Sequence, residues 1–132
     1  MSRLRIVFGA ALLALVLIAF AEDQRTKASK KKLFLISYEP QIQPVSINRI
    51  HNWVVHVEAA DGSVVDSATI SLVGGMPDHD HGLPTLPQST RYLGDGDYLV
   101  EGVKFHMNGR WEVTITITVD GGSDSVTFDL QL

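Results

Sequence analysis

Beyond Leu33, hydrophobic side chains return at nearly every second position, and that period limits the chain to strands with one buried face. The pattern is clearest from Arg110 to Val119, where Trp111, Val113, Ile115, Ile117 and Val119 alternate with Glu112, Thr114, Thr116 and Thr118. Threonines and β-branched residues suit a pleated surface. Val126, Phe128, Leu130 and Leu132 repeat the alternation after the turn residues Asp120-Gly121-Gly122. Earlier, Trp53, Val55 and Val57 alternate with Val54, His56 and Glu58 up to Asp61-Gly62. Further strands are expected over Val64–Val73, over Tyr98–Phe105 between Gly94-Asp95-Gly96 and Asn108-Gly109, within Gln41–Asn48, and near Ser89–Tyr92. No segment reads as a helix. About seven short strands with frequent turn signals predict an all-β, immunoglobulin-like antiparallel β-sandwich over residues 41–132.

The N-terminus has a different composition. Arg3 and Arg5 precede an uncharged apolar run from Ile6 to Ala21, which ends in Ala19-Phe20-Ala21 before Glu22. Residues 1–21 thus read as a secretory signal peptide, or as a membrane anchor if retained, since the sixteen-residue run is a little short of the roughly twenty that span a bilayer. Either reading puts the rest of the chain in the periplasm or another extracytoplasmic space. Residues 22–40 read as a polar linker and lead-in, with Lys30-Lys31-Lys32 as a hydrated basic run that could also touch anionic lipid. Without residues 1–21 the chain has 111 residues, enough for one domain, with nine basic and fifteen acidic side chains and a formal charge of −6. That balance makes nucleic acid an improbable partner. With no cysteine, stability must come from packing and from any bound ion.

Chemistry is concentrated in two fragments. Gly74 to Pro87 reads Gly-Gly-Met-Pro-Asp-His-Asp-His-Gly-Leu-Pro-Thr-Leu-Pro, and Phe105-His106-Met107 follows further on. Three of five histidines and both non-initiator methionines lie there. Imidazole and thioether together suit copper better than calcium or magnesium. Counting turns in an antiparallel array brings His51, Met76, His79, His81, His106 and Met107 to one rim and leaves His56 mid-strand. In an extended segment His79 and His81 point to one side, with Asp78 and Asp80 turned away as acceptors that fix imidazole tautomers. Met76 is a soft donor if its glycine-flanked loop folds back. His51 is better explained as merely the residue before a strand, and Met107 is equally well explained as packing beside Phe105. A fourteen-residue connection rich in glycine and proline is long for a compact domain, and such loops tend to be functional.

The order of these motifs, from Gly74-Gly75-Met76-Pro77-Asp78-His79-Asp80-His81-Gly82-Leu83-Pro84-Thr85 through Gly94-Asp95-Gly96, Tyr98-Leu99-Val100-Glu101-Gly102 and Phe105-His106-Met107 to Gly109-Arg110-Trp111-Glu112, resembles the YtkA-like domain. That family is similar in turn to the FixH-like proteins of bacterial envelopes. The resemblance covers roughly residues 45 to 120. It implies an exported β-sandwich connected with copper handling, with His79, His81, His106 and Met107 falling on the family's proposed ligands and a respiratory oxidase as one destination.

The expected function is therefore a carrier holding Cu(I) or Cu(II) through His79, His81, His106, Met107 and Met76, without catalysis. Ligation needs neutral imidazole, so affinity should fall below about pH 6.5. Two alternatives stay open. A zinc-dependent hydrolase could use a His-x-His loop and a third histidine, although Gly82-Leu83-Pro84-Thr85 offers no following glutamate and no hydrolase motif is present. A metal-free interaction module of an envelope complex could use the same loop for contact.

Overall fold

The computed structural model describes residues 23–132, so the expectations for a signal peptide or anchor in residues 1–21 lie outside the described residues. After a 3-10 turn at Asp23–Arg25 come nine strands: β1 (Thr26–Ala28), β2 (Phe34–Pro40), β3 (His51–Ala59), β4 (Thr69–Met76), β5 (His81–Gly82), β6 (Gln88–Gly94), β7 (Asp97–Val103), β8 (Arg110–Val119) and β9 (Gly122–Gln131). Among the described residues there is no α-helix. All pairings are antiparallel, in the order β1-β2-β3-β7-β6-β4-β8-β9, with β5 against β4.

The β6–β4 link is a single pair, Ser71 with Gln88, so the strands divide into two layers that join at this corner. On the opposite side the Lys30 N–H donates to the Ser125 carbonyl (2.9 Å) and the Lys27 ammonium to the Thr127 carbonyl (3.0 Å), which draws the first and last strands together. The result is an antiparallel β-sandwich that is nearly a closed barrel.

Alternation decides which side chains fill it. From β3 come Trp53, Val55 and Val57, and from β8 come Trp111, Val113, Ile115 and Ile117, all buried. Tyr38 stacks on Trp53 at 4.5 Å and meets Phe128 edge-on at 4.8 Å. An aromatic ring that buries 150–250 Å² contributes about 4–6 kcal/mol, so Trp53 and Trp111 anchor the two layers.

The strand over Arg110–Val119 has its expected bounds. The one expected within Gln41–Asn48 is absent, because Pro44 has no N–H to give a ladder. The work of a first strand is done by β2, within the presumed lead-in, where Phe34, Ile36, Tyr38 and Pro40 point inward. Thr26–Ala28 of the presumed linker is also strand, paired with β2. Val64 contributes only an isolated bridge to Glu58, and β4 begins at Thr69, after the turn formers Asp66 and Ser67.

Turn chemistry fixes the two ends. At one lie the β3–β4 connection and the tight turns β6–β7 and β8–β9. At the other, the rim, lie the segments before His51, between Met76 and Gln88, and between Val103 and Arg110.

Candidate metal centre

The glycine and proline-rich segment is a hairpin, not an extended strand. Met76 closes β4, Pro77–Asp80 make the turn, and His81 returns opposite Met76. The Met76 carbonyl accepts both the His79 and Asp80 N–H groups, at 3.1 and 3.0 Å, while Asp80 takes a φ of 53°. Glycine at position 74 lets Leu83 pack closely, because a Cβ there would lie 2.8 Å from Leu83 Cγ and push that side chain away. Leu83 packs down on it and its N–H donates to the Gly74 carbonyl at 3.0 Å. This clamp fixes the hairpin and raises His79 and His81, both exposed, above the rim.

The third imidazole arrives on the β7–β8 connection. Buried Phe105 accepts the Asn48 N–H on its carbonyl at 2.7 Å, and the Met107 carbonyl accepts the indole N–H of Trp111 at 3.0 Å. Held between them, His106 is half-buried and its ring lies 5.6 Å from that of Trp111, nearly perpendicular to it. Among the described residues its Nδ1 is buried and has no hydrogen-bond partner.

The rings of His79 and His81 have centroids 6.4 Å apart, and those of His81 and His106 are 5.8 Å apart. With metal–nitrogen bonds of about 2.0–2.1 Å, two imidazoles on one ion have centroids up to roughly 6.4 Å apart. The spacing thus suits a shared ion at its wide limit. Among the described residues no three His, Asp or Glu side chains already converge as ligands, so two exposed imidazoles would have to turn inward. The orphaned nitrogen of His106 and the all-imidazole donor set fit a borderline cation.

The other expected donors have different occupations. Met76 is 1% exposed and belongs to the core, its methyl packed where a Cβ on Gly109 would be only 2.8 Å away. The chain does fold back there, but Met76 is an inward-facing residue of β4 and its thioether goes to the core. Met107 is half-buried beside the rim and packs against the core. His51 is buried, with Nδ1 3.0 Å from the Arg49 carbonyl and Nε2 accepting the Trp53 indole N–H at 3.0 Å. Both its nitrogens are engaged, so it orients Trp53 and has no lone pair for an ion. His56 bridges Asp97 (2.7 Å) and Glu58 (3.0 Å) away from the rim. Burial opposes its protonation, but the two carboxylates outweigh that and raise its pKa. Asp78 faces Arg110 at 3.5 Å instead of an imidazole. Sequence reasoning missed that pair and also Trp111 as the neighbour of His106. The strand pattern marked Trp111 as core and gave no sign of which loop would cover its edge.

A two-layered antiparallel domain with an imidazole-lined rim is the class of protein that fold and site define. The chain belongs to the YtkA-like family, whose model matches residues 26–116 and so includes β1 and β2. No curated protein and no solved structure matches it.

Proposed function

We propose that this domain is an extracytoplasmic copper carrier that takes up its ion through His79, His81 and His106, with Met107 at the edge of the site, and passes it to a membrane-bound oxidase or another acceptor. The observation that carries this reading is the meeting of three imidazoles from two separate connections, at 6.4 and 5.8 Å. The copper ion is cargo, not a resident cofactor. Two ligands stand exposed on a hairpin and one on the body of the domain, so the ion can be held and then released by rotation of the two exposed imidazoles alone. Imidazole and thioether together serve both copper oxidation states.

Trp111 supplies the assay. Its ring lies 5.6 Å from His106, so Cu(II) at the site should quench the domain's fluorescence with one-to-one stoichiometry. His79→Ala and His106→Ala should each weaken binding by tenfold or more, and unchanged titrations in both would overturn the proposal. Elemental analysis of protein from its native compartment separates the classes. Copper supports the carrier, zinc the hydrolase, and metal-free protein an interaction module.

A further inference from the structure

A neutral imidazole has one N–H and one lone pair, and its surroundings decide which nitrogen carries which. At His51 the fold settles this. Its Nδ1 donates to the Arg49 carbonyl at 3.0 Å, while its Nε2 accepts the Trp53 indole N–H at 3.0 Å. His106 has no such partners. Among the described residues its Nδ1 is the one buried side-chain nitrogen or oxygen without a hydrogen bond, while Nε2 keeps contact with solvent. A proton on Nδ1 would orphan a donor in the interior, whereas a proton on Nε2 can meet water. The main chain cannot shift to relieve the inner nitrogen. The Phe105 carbonyl accepts the Asn48 N–H at 2.7 Å and the Met107 carbonyl accepts the Trp111 indole N–H at 3.0 Å, which pins the chain on either side of His106. The ring stands nearly perpendicular to its two neighbours, with centroids 5.8 Å from His81 and 5.6 Å from Trp111.

We propose, resting on the copper reading above, that His106 binds the ion through Nδ1 with its proton on Nε2, and that it does so last, after the exposed imidazoles of His79 and His81 have captured the ion. A ligating imidazole is oriented and strengthened when its other nitrogen donates to an acceptor. Ligation through Nδ1 gives the outer Nε2–H water as that acceptor, and it gives the buried lone pair a partner that brings no proton. Ligation through Nε2 would instead force an N–H onto the buried nitrogen. The order follows from burial. An arriving ion cannot touch Nδ1 of His106 from solvent, but both rings of the hairpin are exposed. His81, 6.4 Å from His79 and 5.8 Å from His106, is the ring common to the outer and inner pairs. Release reverses the order: as the two exposed rings turn outward, the bond to His106 breaks first.

Long-range 15N–1H NMR on labelled protein from its native compartment reads the ligating atom, at about pH 8, where an imidazole of ordinary pKa near 6.5 is neutral. In the free protein His51 should show the Nδ1–H tautomer, which serves as an internal standard, and His106 the Nε2–H tautomer. Adding Cu(I), which is diamagnetic, should move the Nδ1 resonance of His106 far more than its Nε2. An Nδ1–H tautomer in the free protein, or a copper shift centred on Nε2 of His106, would overturn the proposal and leave the carrier reading standing. No copper-dependent shift at His79, His81 or His106 would remove the carrier reading and this proposal with it. Stopped-flow quenching by Cu(II) reads the order. His106→Ala should leave the capture rate nearly unchanged and release the ion about tenfold faster or more, whereas His79→Ala should mainly slow capture. Slower capture at an unchanged release rate in His106→Ala would overturn the order.

Discussion

Met76 separates packing from ligation more sharply than any other residue of the rim. Met76→Ala removes Cγ, Sδ and Cε from a fully buried position beside Gly109. Three methylene-sized groups at about 0.8 kcal/mol each give roughly 2.4 kcal/mol of lost transfer energy. A residual cavity of about 60 Å³ at 24 cal/mol per Å³ adds roughly 1.4 kcal/mol. The expected loss is therefore about 4 kcal/mol, read as a lower urea midpoint at unchanged m-value and a fall in Tm of roughly 15–25 °C. Met76→Leu preserves volume and should lose less than about 1.5 kcal/mol. It should also bind copper within twofold of the parent, since the thioether faces the core. A stability loss below about 1 kcal/mol for Met76→Ala would refute the packing argument. A tenfold loss of copper affinity in Met76→Leu would return the thioether to the ligand set.

Asp124 is 5% exposed and accepts the N–H groups of Lys31 (3.1 and 3.0 Å) and Ser125 (2.8 Å). Burial opposes its ionisation, but these bonds and the Ser29 hydroxyl hold its pKa below the usual value. Its contribution is thus present above about pH 3.8 and lost as pH falls through the depressed value. Asp124→Asn should cost about 1.5–3 kcal/mol at pH 7 by urea titration, and the difference from the parent should shrink in acid. For His56 the sign reverses. Its raised pKa makes the charged bridge to Asp97 and Glu58 stabilising at pH 5.5 and lost as pH rises past the shifted value. His56→Gln should therefore narrow the stability difference between pH 5.5 and 9 by up to about 1 kcal/mol, and an unchanged profile would count against the bridge. Gly96 and Gly121 both have positive φ, 82° and 92°, but a Cβ at Gly96 lies 2.9 Å from the Val57 carbonyl oxygen while Gly121 has open space. Alanine should cost about 1–2 kcal/mol at Gly121 and clearly more at Gly96, by the same titration.

The difference between what was legible in the sequence and what was not follows from the range of each interaction. Period-two alternation is local, so β8 could be read to the residue and β3 nearly so. Antiparallel parity carries that local signal over the whole chain, and it is why His81 and His106, far apart in sequence, have rings 5.8 Å apart. Where apolar residues occupy both faces, parity loses its guide. Leu33 and Leu35 are exposed beside buried Phe34 and Ile36, so the run has no polar alternation to mark β2 as a strand. Ligand identity was harder still, because a histidine's donors depend on partners the sequence does not name. His51 is bound at both nitrogens, by a carbonyl two residues before it and an indole two residues after it, whereas His106 keeps a buried nitrogen without a partner. The same contrast separates Met76, drawn inward by strand parity, from Met107, left at the margin by a loop. A rim donor is thus available to an ion only where the fold has not already used it. By that criterion the six residues first gathered at the rim reduce to three imidazoles and one marginal thioether.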